Sequence, residues 1–153
     1  MDNTHLILDL WEWSRRMAET TNCLIRPLAG RYGLTPMQLR LLLLLWPDRK
    51  RAAGALAREA LTPVSNVSLL SRFLEEEGFV TRIRNPEDQR VCLLELSPAG
   101  RLVVMEITGQ LHERISGTTG GRDPDILEAM EILSSLLNGL GDAPEDFTDG
   151  TQT

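Results

Sequence analysis

The stretch LEEEGFVTRIRNPEDQRVCLLELSPAGR, residues 74–101, constrains the fold more than any other part of the chain. Helical apolar spacing ends at Gly78, a residue suited to closing a helix. The period then becomes two. In FVTRIR, Phe79, Thr81 and Ile83 fall on one face and Val80, Arg82 and Arg84 on the other. NPEDQ is turn-forming by composition. VCLLEL alternates again, with Cys92, Leu94 and Leu96 on a face expected to point into the core. Ser97 and Pro98 then supply a cap and a first helical residue. A hairpin with a charged tip is therefore set between two helices.

The segments upstream complete a pattern. Thr35, Pro36 and Gln38 form a capping box, so a helix starts there and runs through Leu39 and Leu41–Leu45. It is apolar nearly all round, which requires burial on most sides. AGALAREA, residues 53–60, reads as a short helix. Thr62 as cap and Pro63 at the first position open the next, which extends to about Glu77. Two short helices joined by a tight turn outline a helix-turn-helix.

The ends of the chain are helical as well. Leu6, Leu10, Trp13, Met17, Leu24 and Leu28 recur at steps of three and four over residues 5–29, with an interruption around Thr20 and Thr21. A helix from Pro98 to about Ile115 precedes a break at SGTTGG. A last helix runs from Asp123 and Pro124 to about Asn138, where Gly139 is placed to stop it. It carries Ile126, Leu127, Met130, Leu133, Leu136, Leu137 and Leu140, more than one small lobe buries. Residues 141–153 are acidic and lack apolar periodicity, so disorder is expected.

A length of 153 residues suits one domain or a small domain with an oligomerisation segment. The net charge of −6, taken whole, counts against nucleic acid, because phosphate binding depends on clustered Lys and Arg. Its distribution points the other way. Residues 34–101 hold 10 Lys+Arg against 8 Asp+Glu, while the flanks hold 6 against 14. Two cysteines, Cys23 and Cys92, are too few for a disulfide scaffold. The opening MDNTHLILDLWEW lacks the basic start and cleavage site of a signal peptide. The apolar run LLLLLW at 41–46 is far shorter than the roughly 20 residues that span a membrane. A soluble, cytoplasmic protein is expected.

A helix-turn-helix followed at once by a charged hairpin is a winged helix, whose second helix enters the DNA major groove. Residues 74–101 resemble the MarR family of bacterial transcription regulators, and GLTPMQLRLLLLL is similar to that family's second helix. The Asp-x-Arg element of the wing is Asp88-Gln89-Arg90, and the start of the next helix is Leu96-Ser97-Pro98-Ala99-Gly100. The resemblance covers about residues 5–140. It implies a mainly α fold with a small β-hairpin: a winged helix-turn-helix at about 34–100, flanked by dimerisation helices at about 5–29 and 98–140, in one domain of residues 1–140. It also implies a dimeric, ligand-responsive repressor on a near-palindromic operator in double-stranded DNA, with Arg90 in the minor groove and Asp88 holding Arg90 by an ion pair. The negative potential of a narrow minor groove attracts a guanidinium.

The recognition helix reads directly. Pro63, Val67, Leu70 and Leu74 converge on one face, and Ser65, Ser68, Leu69, Arg72 and Glu76 lie opposite, with Asn66 on the flank. Asn66 suits an adenine, Ser65 and Ser68 bases or phosphates, and Leu69 a thymine methyl. Arg72 suits a guanine or a phosphate. Arg82, Arg84 and Arg90 add cations along the wing, and Arg49, Lys50 and Arg51 are either a phosphate contact or a solvated loop. Members of the family often carry a basic residue near Leu69, whereas here the face turns acidic at Glu75–Glu77. A winged helix with weakened DNA binding that works through protein contacts is therefore the alternative.

Weaker signals remain. Either Trp11, Trp13, Trp46 and Arg15 line an effector cleft for a small aromatic or anionic molecule, as the resemblance implies, or the tryptophans pack in the core and dimer. Cys23 and Cys92 are either packing residues or redox sensors. His5 and His112 lack ligand spacing, so no metal site is expected. No cofactor motif and no catalytic constellation is present, so an enzyme is not expected.

Overall fold

The computed structural model describes residues 3–120 and 123–141. The chain divides into two compact units, Met1–Leu111 and His112–Thr153. Helix α1 spans Asn3–Gly30 without a break at Thr20 and Thr21. The Thr21 hydroxyl donates to the Met17 carbonyl at 2.8 Å, so the polar pair is absorbed within the helix. Helix α2, Pro36–Leu44, opens on the expected capping box. The Thr35 amide donates to Gln38 Oε1 at 2.7 Å, and the Gln38 amide donates to Thr35 Oγ1 at 3.2 Å. Leu39, Leu41 and Leu42 of α2, with Leu45 just beyond it, are buried at the centre of the first unit.

A short strand β1, Arg51–Ala52, leads into α3, Ala53–Ala60. Helix α4 follows at Val64–Glu76. Its cap is Pro63 and not Thr62, and no side chain caps it. The Thr62 hydroxyl instead accepts from Asn66 Nδ2 at 2.9 Å. Between the helices, Leu61 takes φ 53, a left-handed conformation usually left to glycine. Leu56, Ala57, Ala60, Val67 and Leu74 pack this pair onto α2. Pro63 is exposed and Leu70 half-buried, so the inward face of α4 is carried by Val67 and Leu74, with Ser71.

Strands β2, Val80–Arg84, and β3, Cys92–Leu96, form the hairpin, and β1 joins β3 to give a three-stranded antiparallel sheet in the order β1-β3-β2. Two residues carry no alternation, so β1 leaves no mark in the sequence. The open edge of β3 creates it by offering unpaired backbone groups. Opposite residues in an antiparallel pair share a face. Val80 pairs with Leu96, Arg82 with Leu94 and Arg84 with Cys92. Val80, Leu94 and Leu96 are buried, so this is the core face. Cys92 corrects the expectation for that face. It is exposed, because the hairpin has outrun the core by the last pair.

Ser97 joins hairpin to helix. Its hydroxyl donates to the Gly78 carbonyl at 2.6 Å and accepts from the Gly100 amide at 3.0 Å. Gly78 has φ 78. Gly100 packs so close to the Phe79 carbonyl that a β-carbon would overlap its oxygen. Helix α5, Pro98–Thr119, passes the expected end at Ile115 by a turn, and Gly120 follows it at φ 61. In the second unit, α6 spans Asp123–Gly141 and runs through Gly139. Met130 and Ile132 of α6 are 54% and 56% exposed. The side chains of Ile126, Leu127, Leu136, Leu137 and Leu140, and the tail beyond Gly141, lie outside the described residues.

Candidate nucleic-acid interface

Helix α4 buries one side and leaves the other for a partner. Ser65, Ser68, Leu69, Arg72 and Glu76 are all exposed, and Leu69 is 65% exposed. Asn66 is half-buried, with one amide hydrogen committed to Thr62. Among the described residues nothing bonds the Arg72 guanidinium, which leaves it the free cation of this face.

The wing tip is built from backbone-directed bonds. The Glu87 amide donates to Asn85 Oδ1 at 3.0 Å, and the Arg90 amide donates to Asp88 Oδ1 at 3.0 Å. These are two Asx turns in succession. The Val91 amide donates to the Asp88 carbonyl and the Asn85 amide to the Val91 carbonyl, each at 2.9 Å. The ion pair expected between Asp88 and Arg90 is thus replaced: Asp88 fixes the backbone of Arg90 and not its guanidinium. Among the described residues no group engages that guanidinium, which stands exposed at the tip.

Arg82, Arg84, Lys50, Arg51 and Arg101 are committed within the chain, whereas the Arg49 side chain is exposed and engages no group among the described residues. Arg84 Nη1 donates to the Gln89 carbonyl at 2.9 Å, across the base of the loop. Arg82 faces α4, where its Nε donates to Glu75 Oε2 at 2.6 Å and its Nη2 to Ser71 Oγ at 3.1 Å. The Glu75 bond holds the Arg82 pKa above its ordinary value. Lys50 pairs with Glu95 at 3.4 Å and Arg51 with Glu59 at 3.1 Å. Arg101 pairs with Asp48. Nothing in the local sequence marks Glu75 and Ser71 as partners of Arg82. The signal lies in the strand register, since Arg82 stands opposite the buried Leu94 and so shares the sheet face that packs on the helices.

On α1, Trp11 and Arg15 come together with Leu8 and Glu12 around a depression of about 130 Å3. Trp46 does not line it. Arg15 bridges Glu12 at 2.9 Å and Glu19 at 2.6 Å, so its charge is compensated there. Cys23 is exposed too. Among the described residues no group of three or more His, Cys, Asp or Glu could hold a metal ion, and no helix is long and apolar enough to cross a membrane.

A helix-turn-helix whose second helix leads into a three-stranded wing defines the class as a winged-helix protein. Residues 34–92 match the sequence model of the MarR family. The chain is 25% identical over 115 residues to the organic hydroperoxide resistance transcriptional regulator of Bacillus subtilis, covering 75% of this chain and 78% of that protein. Its fold matches that of reduced AbfR bound to DNA, at TM-score 0.76 and 18% identity, over 93% of this chain and 99% of that one. It also matches NadR in complex with 4-hydroxyphenylacetate, at TM-score 0.69 and 25% identity, over 90% and 94%.

Proposed function

We propose that this protein is a homodimeric, cytoplasmic transcriptional regulator, a ligand-responsive repressor that binds a near-palindromic operator in double-stranded DNA. The observation that carries the reading is the pairing of two uncommitted guanidiniums, Arg72 on α4 and Arg90 on the wing tip, with an exposed α4 face of serines and Leu69. Ser65, Asn66, Ser68, Leu69 and Arg72 contact the major groove. Arg90, oriented through Asp88, contacts the minor groove, while Arg82 and Arg84 hold the wing in shape. DNA-bound AbfR, which shares the fold, agrees with this reading.

Dimerisation is supported by α1. Ile7, Leu8, Leu10, Trp11, Trp13 and Met17 are all exposed on one helix, with Trp11 at 72%. Contiguous apolar surface of this kind marks an interaction site. Half-sites then fall about 34–36 Å apart or at a multiple of that. An aromatic or anionic effector is suggested by Trp11, Arg15 and Trp46 and by the ligand-bound NadR structure. The test is a mobility-shift assay on the DNA upstream of the protein's own gene, searched for an inverted repeat. A shift that survives competitor DNA is expected, and its absence on every upstream segment overturns the reading. The second reading, a winged helix acting through protein contacts, is favoured by Glu75–Glu77 and by the internal pairing of Lys50, Arg51 and Arg82.

A further inference from the structure

We propose that Arg82 is a positioning residue that sets the pitch of the wing against the recognition helix, so that Arg90 and the outward face of α4 meet DNA in fixed register. This rests on the DNA-binding reading above. Arg82 lies in the middle of β2, opposite the buried Leu94, so its backbone is held by the sheet. Its guanidinium reaches two residues one helical turn apart on α4, Glu75 at 2.6 Å and Ser71 at 3.1 Å. A planar fork engaging two points fixes an angle as well as a distance, which a lysine cannot do.

Ser71 extends the connection. It is buried, and its hydroxyl donates to the Ser68 carbonyl at 3.2 Å while accepting from Arg82. The chain of hydrogen bonds ends on the Ser68 backbone carbonyl, so it ties the wing strand to the backbone of the helix that carries the outward face. The tip lies several residues beyond Arg82, so a small rotation at the clamp displaces Arg90 by more than a hydrogen bond tolerates. With Nε and Nη2 engaged on α4, only Nη1 is left for a phosphate, and Glu75 stands beside it as a compensating acid. The pair is half-exposed and adds little to fold stability, so variants at either position fold and the effect appears in recognition.

The two roles predict opposite signs at Glu75. The probes are a duplex selected from random-sequence DNA by the full-length wild type and a scrambled duplex of equal length and composition. Affinity for each is measured by fluorescence anisotropy across a salt series. Glu75→Gln removes a negative charge yet is expected to lower the selected-to-scrambled ratio, by about tenfold. Arg82→Gln lowers it by a similar factor with the salt slope on scrambled DNA unchanged. The exchanged pair Glu75→Arg with Arg82→Glu recovers most of the ratio, because the clamp is rebuilt with reversed polarity. A ratio that holds or rises in Glu75→Gln, a salt slope that falls by about one in Arg82→Gln, or an exchanged pair no better than the single variants overturns the clamp. A wild type that selects no duplex overturns the DNA-binding reading itself and the clamp with it.

Discussion

The Asp88 carboxylate accepts the backbone amide of Arg90 at 3.0 Å and leaves the Arg90 guanidinium to solvent. The acid therefore aims the arginine by fixing the chain that carries it, without neutralising its charge. An ion pair would have done the reverse, since a compensated guanidinium gains less from the negative potential of a narrow groove.

Arg90→Ala is expected to keep the fold, because the side chain touches no core residue. Operator affinity falls, and the slope of log K against log salt shrinks by about one for the single cation removed. Unchanged operator affinity in a folded protein removes Arg90 from the interface. Circular dichroism and a salt titration check both points.

Asp88→Ala frees the Arg90 amide and loosens the tip, so it is expected to show a smaller loss of operator affinity. The combined variant should be little worse than Arg90→Ala alone, as in any cycle where one group acts through the other. Additive losses would mean that Asp88 acts apart from Arg90.

Arg72→Ala is expected to weaken operator binding by about 1–3 kcal/mol with relaxed preference at one base position. A panel of single-base operator variants measures this. An equal loss on every sequence assigns Arg72 to phosphate.

Leu69, exposed among serines, is expected to meet a thymine methyl. Replacing that thymine by deoxyuridine should weaken the wild type by about 0.8 kcal/mol, the worth of one buried carbon. Leu69→Ala should bind both duplexes alike. Equal sensitivity in the two proteins rules out that pairing.

Gly100→Ala tests the join between wing and α5. A β-carbon there overlaps the Phe79 carbonyl oxygen, and relieving it by backbone movement costs about 1–3 kcal/mol. A lowered Tm is expected. An unchanged Tm would show that the join has slack.

By itself the sequence determined the elements whose signals are local. The Thr35–Gln38 capping box, the cap at Ser97 and the change of period at Gly78 depend on residues within a few positions of one another, and the winged helix follows from their order. Tertiary structure decided what depends on distant partners. Strand β1 exists because β3 offers it an edge. Cys92 is exposed although its alternation points inward, because the core ends before the hairpin does. Arg82, Arg84 and Arg90 look equivalent in the sequence, three arginines near one loop. The antiparallel register turns Arg82 to α4, the Gln89 carbonyl on the far side of the loop holds Arg84 at its base, and among the described residues no group engages the guanidinium of Arg90. Which charge is free is settled by the surrounding acids and carbonyls, and only the folded chain brings those into reach.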